Sequence, residues 1–235
     1  MSVVDIVSEV DAKLDAVRET LLRTLTGMGD VCLTCSFQAE GVLLARLATE
    51  IDPRIPVLFI DTGYHFAETY TYRDRVARLL KLNLINLLPA HTVAEQEAEF
   101  GRLYEFSPDR CCQMRKVEPL FKAIAGYRVW LTGLRRDQSK SRAAIQESSM
   151  FSLPGGRQIL KVAPLASWTT RDVWYACEQL ELPLLPLYAR GYSSIGCEPC
   201  TSLPLDPNNL RSGRWAGRKV ECGIHVQVIE PAPAN

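Results

Sequence analysis

The sequence has no apolar run long enough to cross a bilayer, which excludes a transmembrane helix. It has no excess of either charge, with 27 Lys and Arg against 27 Asp and Glu, and no basic run. That balance excludes the strongly basic surface that nucleic-acid binding needs, so neither nucleic acid nor membrane is expected as a partner. The N-terminus lacks the basic-then-apolar build of a secretory leader, which makes the cytoplasm the expected location. There is no internal repeat, no glycine- and serine-rich phosphate loop of the Walker kind, and no convincing second domain. What remains is a chain of 235 residues, 47% apolar, enough for one α/β domain with a full core.

Apolar residues at Val3, Ile6, Val7, Val10, Leu14, Val17, Leu21 and Leu25 predict an amphipathic helix over 3–26, stopped by Gly27 and Gly29. Such a helix suits packing on the body or on a second copy of the chain, so a homo-oligomer is compatible. Short buried strands are expected at 31–35, 56–61, 84–88 and 128–132, with helices over 39–50, 66–81, 93–100 and 169–181. In the last of these, Thr169 or Thr170 caps the helix and Val173, Trp174 and Leu180 face inward. Strands alternating with helices predict a mainly parallel sheet flanked by helices, with ligands beyond the carboxyl ends of the strands. Three loops reach that end, carrying Ser36, Asp61-Thr62-Gly63 and the arginine-rich stretch 133–142. After Pro183 and Pro186 the periodicity fades. From 201 onward the chain reads as an irregular, mobile tail, with 230–235 expected to be disordered. The division is therefore a body, 1–200, and a tail, 201–235.

Eight cysteines in a reducing compartment point to ligands or catalysts rather than disulfides. Cys32, Cys35 and Cys177 read as small buried side chains. Near the chain's end, C-E-P-C at 197–200 is followed by E-C-G-I-H at 221–225, and two chemistries fit. Either Cys197 and Cys200 are metal ligands and Cys222 is a free nucleophile, or Cys197, Cys200, Cys222 and His225 form a zinc site. The adjacent pair Cys111-Cys112 bears on the choice, since those two thiolates plus 197 and 200 make the four-thiolate set that iron–sulfur clusters ask for. Arg214, Arg218 and Lys219 lie close to Cys222 in sequence and favour its thiolate.

These stretches together resemble the assimilatory sulfonucleotide reductases, in particular their iron–sulfur adenylylsulfate (APS) reductase branch. The likeness rests on C-S-F-Q-A-E-G at 35–41, D-T-G-Y-H-F-A-E-T-Y at 61–70, C-C-Q-M-R-K at 111–116 and T-G-L-R-R-D-Q-S-K-S-R at 132–142. It continues through S-I-G-C-E-P-C-T at 194–201, R-S-G-R-W at 211–215 and E-C-G-I-H at 221–225, and so spans nearly the whole chain. Gly41 departs from the acid that many members carry there. The resemblance implies an adenine-nucleotide hydrolase-like fold and a [4Fe–4S] cluster on Cys111, Cys112, Cys197 and Cys200. It also implies that Cys222 attacks the sulfur of APS, expelling AMP, and that a thioredoxin-type dithiol then releases sulfite. By the same match Lys116, Arg142, Arg211 and Arg214, with Ser36, would meet the phosphosulfate. Lys116 and His225 join Cys222 as catalytic candidates, although for His225 docking of the tail is an equal expectation, and Glu221 reads as an electrostatic neighbour. His65 and His91 read as structural. Three rivals stand against this: the family's cluster-free branch, which uses the 3′-phosphorylated nucleotide (PAPS), an ATP pyrophosphatase or thiolase on the same sheet, and a non-enzymatic zinc module. The first would lack both cysteine pairs, the second needs a glycine-rich pyrophosphate loop, and the third leaves Cys111-Cys112 without a purpose.

Overall fold

The computed structural model describes residues 3–206, 209–219 and 221–225, with the side chains of 3–8 outside that set. One six-stranded sheet has the order β3-β2-β1-β4-β6-β5. Its strands are β1 (Val31–Thr34), β2 (Pro56–Ile60), β3 (Asn83–Leu87), β4 (Val129–Thr132), β5 (Ser148–Ser152) and β6 (Gln158–Val162). All pairings are parallel except that of β5 with β6 at one edge. The helices are α1 (Val3–Gly27), α2 (Ala39–Ile51), α3 (Ala67–Leu79), α4 (Val93–Phe100), α5 (Leu103–Phe106), α6 (Pro108–Cys112), α7 (Glu118–Ile124) and α8 (Thr170–Gln179). A π-helical turn, Gln113–Val117, joins α6 to α7.

Successive side chains of a strand point to opposite faces, so each central strand divides its apolar residues between two cores. Leu33, Val57, Phe59, Val129 and Leu131 pack with residues of α1, α2, α3 and α8. Cys32, Leu58 and Trp130 face the other way, onto Leu120, Phe121 and Ile124 of α7. From the helical series in α1, Val10, Leu14, Val17 and Leu21 are buried, as the spacing predicts. Val3, Ile6 and Val7 lie outside the described side chains. Thr169 caps α8 in a full capping box with Asp172, while Val173 and Cys177 point into the core. Trp174 does not face inward as expected: it is 39% exposed. It sits instead on the wall of a cavity, against Tyr188 in a T-shaped contact with centroids 5.2 Å apart.

Strands β5 and β6 and the short helices between Leu103 and Ile124 are additions to the expected layout. The tail is irregular as expected, yet through residue 215 it is folded onto the body. The Ser193 hydroxyl donates to the Leu210 carbonyl at 2.6 Å, Arg211 Nη1 donates to the Ser194 hydroxyl at 3.3 Å, and Trp215 is 2% exposed. Residues 230–235 lie outside the described set. Among the described residues no helix is long and apolar enough to cross a membrane.

The chain leaves β1 toward β2 and β3 on one side, while β4, β6 and β5 complete the other. Beyond β1 and β4 the connections part in opposite directions, which opens a crevice at the carboxyl end of the sheet.

Candidate active site

A cavity of about 390 Å³ fills that crevice. Thr34, Cys35 and Ser36 from the end of β1 and Thr132 and Gly133 from the end of β4 form its floor. The Ser36 loop is tightly held. Phe37 takes a left-handed backbone (φ 57°) while fully buried and edge-on to Phe59, a strained conformation that the surrounding core must enforce. The loop delivers the first turn of α2 to the cavity, where the Ala39 N–H donates to the Tyr188 hydroxyl at 3.2 Å. Gly133 permits the approach of β4's exit to this turn, since a Cβ there would lie 3.3 Å from the Glu40 carbonyl. Helix N-termini offer free N–H groups to anions, so the wall formed by Ser36 and the start of α2 suits a phosphate.

The four basic residues expected to meet the phosphosulfate all border this cavity: Lys116, Arg142, Arg211 and Arg214. Arg214 packs over the Trp215 ring, 4.6 Å from its centroid, and hydrogen-bonds Thr201. Its guanidinium covers Gly196 so closely that any Cβ would collide with it. Burial and repulsion from Arg142 press on the charge of Arg211, a tension that an incoming anion relieves. Arg142 and Arg211 meanwhile share the carboxylate of Glu221. Arg135, by contrast, is 4% exposed and is bound to Asp137, the Trp168 carbonyl and Thr170.

A second, smaller cavity adjoins the first, and Cys111, Cys112, Cys197 and Cys200 all line it. Two devices bring these residues together. Cys111 and Cys112 end α6, where Arg115 from the following π-turn reaches across to the Thr62 carbonyl, the His91 carbonyl and Gln96. The 197–200 turn docks on the same loop: the Glu198 N–H donates to the Tyr64 carbonyl at 2.7 Å, and Thr62 Oγ1 lies 3.3 Å from Cys197 Sγ. Burial, then the neighbouring Cys112, Cys197 and Cys200, push the Cys111 thiol up to about 12. Cys197 goes the other way. Burial opposes its thiolate, but Lys116, the Thr62 hydroxyl and Arg214 together bring it below the ordinary value.

The donor set fits a cluster better than a single ion. Among the described residues no three His, Cys, Asp or Glu side chains converge to hold one metal ion. Four thiols around one cavity are what a [4Fe–4S] group uses, one thiolate to each iron. Trp215 borders both cavities, and its buried indole Nε1–H has no partner among the described residues, a spare donor for a polarisable guest.

Cys222 lines the larger cavity with Ile224 and His225. The cations near it are not quite those the sequence suggests. Arg218 donates to the Glu105 carbonyl at 2.7 Å, and Lys219 pairs with Asp109 at 2.5 Å. Lys116 instead interacts with Cys222 as well as with Cys197 and Cys112. These thiols outweigh the effect of burial and raise the ammonium to about 12. Lys116 borders both cavities and is the charged link between them. The His225 ring stacks on Trp130, with centroids 5.3 Å apart and planes at 14°. Burial first, then Lys161, Arg142 and Arg211, hold it well below the ordinary histidine range, as a neutral ring. That arrangement supports docking of the tail. It also separates His225 from Cys197 and Cys200, against the zinc grouping.

Several residues at the site escape sequence reasoning. Lys161 on β6 is pushed down to about 8 by burial and by Arg142, and it lies over the rings of Trp130 and Phe151. Trp174 and Tyr188 form an aromatic wall, and Gln138 joins Arg142 to Glu40 through its side-chain amide. Of these, Gln138 alone stands inside a motif that the sequence singled out.

The family model described as phosphoadenosine phosphosulfate reductase domain matches residues 30–203. A curated protein of Streptomyces coelicolor named adenosine 5′-phosphosulfate reductase is 44% identical over 196 residues, covering 83% of this chain and 81% of that protein. A protein of the same name from Mycobacterium tuberculosis is 42% identical over 200 residues, covering 82% of this chain and 77% of that protein. Among solved structures, the phosphate complex of phosphoadenylyl-sulfate (PAPS) reductase from Candida auris shares the fold (TM-score 0.69, 24% identity, 84% of this chain and 96% of that chain). So does the U34-tRNA thiolase of Methanococcus maripaludis (TM-score 0.53, 16% identity, 78% of this chain and 67% of that chain). This chain belongs to the phosphoadenosine phosphosulfate reductase domain family.

Proposed function

We propose that this protein reduces adenosine 5′-phosphosulfate to sulfite and AMP in sulfate assimilation, with Cys222 as nucleophile. The cysteine set carries the reading: four thiols line one cavity, Cys222 and the buried Cys35 line the adjoining larger one, and Lys116 borders both. The curated relatives carry the APS name.

The adenosine would lie against the Trp174–Tyr188 wall and the start of α2, with the anionic end toward Arg142, Arg211 and Arg214. The Cys222 thiolate, faced by the Lys116 ammonium, attacks the sulfur. The S–O bond to the phosphate breaks, AMP departs with the electron pair, and Cys222 carries an S-sulfonate. Charge gathers on the departing phosphate, and the arginines are already oriented to receive it. A thioredoxin-type dithiol then attacks Cys222 Sγ. Sulfite leaves, a mixed disulfide forms, and the second thiol resolves it, restoring Cys222 and oxidising the dithiol to a disulfide. Cys111, Cys112, Cys197 and Cys200 would hold a [4Fe–4S] cluster. When bound, it supplies a thiolate-anchored charge centre beside Lys116. A dithiol reductant and eight free cysteines suit a reducing compartment, consistent with the cytoplasm.

The test is to mix anaerobically purified protein with APS and no reductant. Peptide mass spectrometry should find an S-sulfonate on Cys222, with AMP released in equal amount. Cys222→Ser should bind AMP and release no sulfite; turnover by that variant would refute the assignment.

A further inference from the structure

Glu221 immediately precedes the nucleophile assigned above, and its contacts are unusually good for a tail residue. Its Oε1 accepts from Arg142 Nε at 2.8 Å and its Oε2 from Arg142 Nη2 at 2.7 Å, a two-point pair of fork against fork. The Ser141 hydroxyl donates to Oε1 at 3.1 Å, and Arg211 Nη2 lies 3.5 Å from Oε2. The three charged side chains are 11%, 15% and 18% exposed for Arg142, Arg211 and Glu221, so water screens them little. Burial works against the carboxylate, and Arg142, Arg211 and Ser141 nonetheless hold its charge in place. Its lone pairs are taken up by donors, which leaves it unsuited to act as a base.

Arg142 and Arg211 also border the nucleotide cavity. A carboxylate from the nucleophile's own segment therefore rests on two of the cations that the anionic substrate needs. On the far side of Cys222 the segment turns at Gly223 (φ 97°) and is fastened again where His225 stacks on Trp130. Cys222 lies between these two anchors.

We propose that Glu221 is a positioning residue that seats the Cys222 segment on Arg142 and Arg211, so that the cations receiving the phosphosulfate also fix where the nucleophile stands. With the cavity empty, the carboxylate neutralises the two guanidiniums. With nucleotide bound, Arg142 and Arg211 serve both carboxylate and phosphosulfate, and the nucleophile's position is referred to the substrate's own binding groups. The inference rests on the nucleophile assignment above.

The experiment compares wild type, Glu221→Gln and Glu221→Asp as full-length, anaerobically purified protein. The reaction of Cys222 with iodoacetamide, followed by peptide mass spectrometry without nucleotide, reports how firmly the segment is seated. Loss of the charge-assisted pair should raise that rate by roughly tenfold in Glu221→Gln, and less in Glu221→Asp, which keeps the charge but shortens the reach. AMP should bind Glu221→Gln as tightly as wild type or more so, because the arginines lose a competing anion. The rate of S-sulfonation in a single turnover, and kcat, should fall by at least about tenfold with no rise in KM for APS. A general loss of structure would weaken AMP binding as well, and then Glu221→Asp, alkylated faster than wild type with AMP affinity intact, keeps the proposal standing. An alkylation rate equal to wild type in the folded variants overturns it. Cys222→Ser separates the two readings: sulfite formation by that variant sinks the nucleophile, whereas alkylation of Cys222 in the Glu221 variants judges the seat alone.

Discussion

At the scale of single residues, Lys116 is the charged side chain that borders both cavities. Burial opposes its charge, and Cys197, Cys222 and Cys112 outweigh burial and hold the ammonium up at about 12. Replacing it with Gln keeps the size nearly unchanged and removes the charge. Lys116→Gln should slow S-sulfonation of Cys222 by on the order of a hundredfold, the cost typical of losing one charge-stabilising group in a preorganised site. Lys116→Arg should recover part of the rate. Single-turnover quench with APS would check this, and equal rates for the Gln variant and wild type would remove Lys116 from the mechanism. The nucleotide's 3′ end is also decided by single residues. Arg135, in the arginine-rich loop, is buried in its own bonds, and Arg136 donates to the Ile145 carbonyl at 2.7 Å. With Arg135 so engaged and Arg136 outside the cavity lining, neither is set aside for a 3′-phosphate, which must still be desolvated. APS should therefore have the higher kcat/KM, and comparable values for PAPS would contradict this.

At the scale of elements, the turn at 223–225 is held by a ring that must remain neutral. His225 is held well below the ordinary histidine value by burial and by Lys161, Arg142 and Arg211. Above about pH 6.5, the ordinary value, docked and free rings are both neutral and docking is complete. As pH falls below that, the free ring takes up a proton that the docked ring refuses, and docking weakens by up to about 1.4 kcal/mol per pH unit. Tryptic cleavage after Lys219, expressed as the ratio of wild type to His225→Asn at each pH, should therefore rise between pH 7 and pH 5.5. A flat ratio would exclude His225 as the pH-sensitive anchor. These elements were unequally legible in the sequence. Strands β1, β2 and β4 are short apolar runs beside turn residues, and they stand where such runs predict. The edge strand β5 and its neighbour β6, S-S-M-F-S and Q-I-L-K-V, mix polar residues among the apolar ones and give no comparable signal. Trp174 shows the other limit. An aromatic at helical spacing has the same pattern whether it faces a core or a ligand cavity, and only the packing of α8 against its neighbours separates the two. The cysteine pairs were legible as chemistry. That Cys111-Cys112 and 197–200 would close on one cavity depends on Arg115 and the Tyr64 loop, contacts that no local pattern encodes.

At the scale of the whole molecule, the four-cysteine cavity lies between two parts of the chain that are far apart in sequence. One wall is α6 and the π-turn, positioned by Arg115 on the Thr62 carbonyl; the other is the 197–200 turn that leads into the tail. A group bound across these walls would tie the body to the segment carrying Arg211, Arg214 and Cys222. Its loss should therefore be felt both as lost colour and as a loosened tail. Anaerobically purified protein should be brown, with iron and sulfide in cluster proportion. Cys111→Ser, Cys112→Ser, Cys197→Ser and Cys200→Ser should each bleach it and lower the melting temperature, because one thiolate fewer leaves an iron open to solvent and oxidant. Cys222→Ser should keep the full spectrum, since Cys222 lines the larger cavity and not the four-cysteine one. The same bleached variants should show faster alkylation of Cys222, although none of the four replaced side chains is Cys222 itself. Colour lost with the tail as well protected as in wild type would mean that the cluster does not brace the tail. A colourless wild type carrying zinc would mean that the four-cysteine cavity holds something other than iron and sulfide.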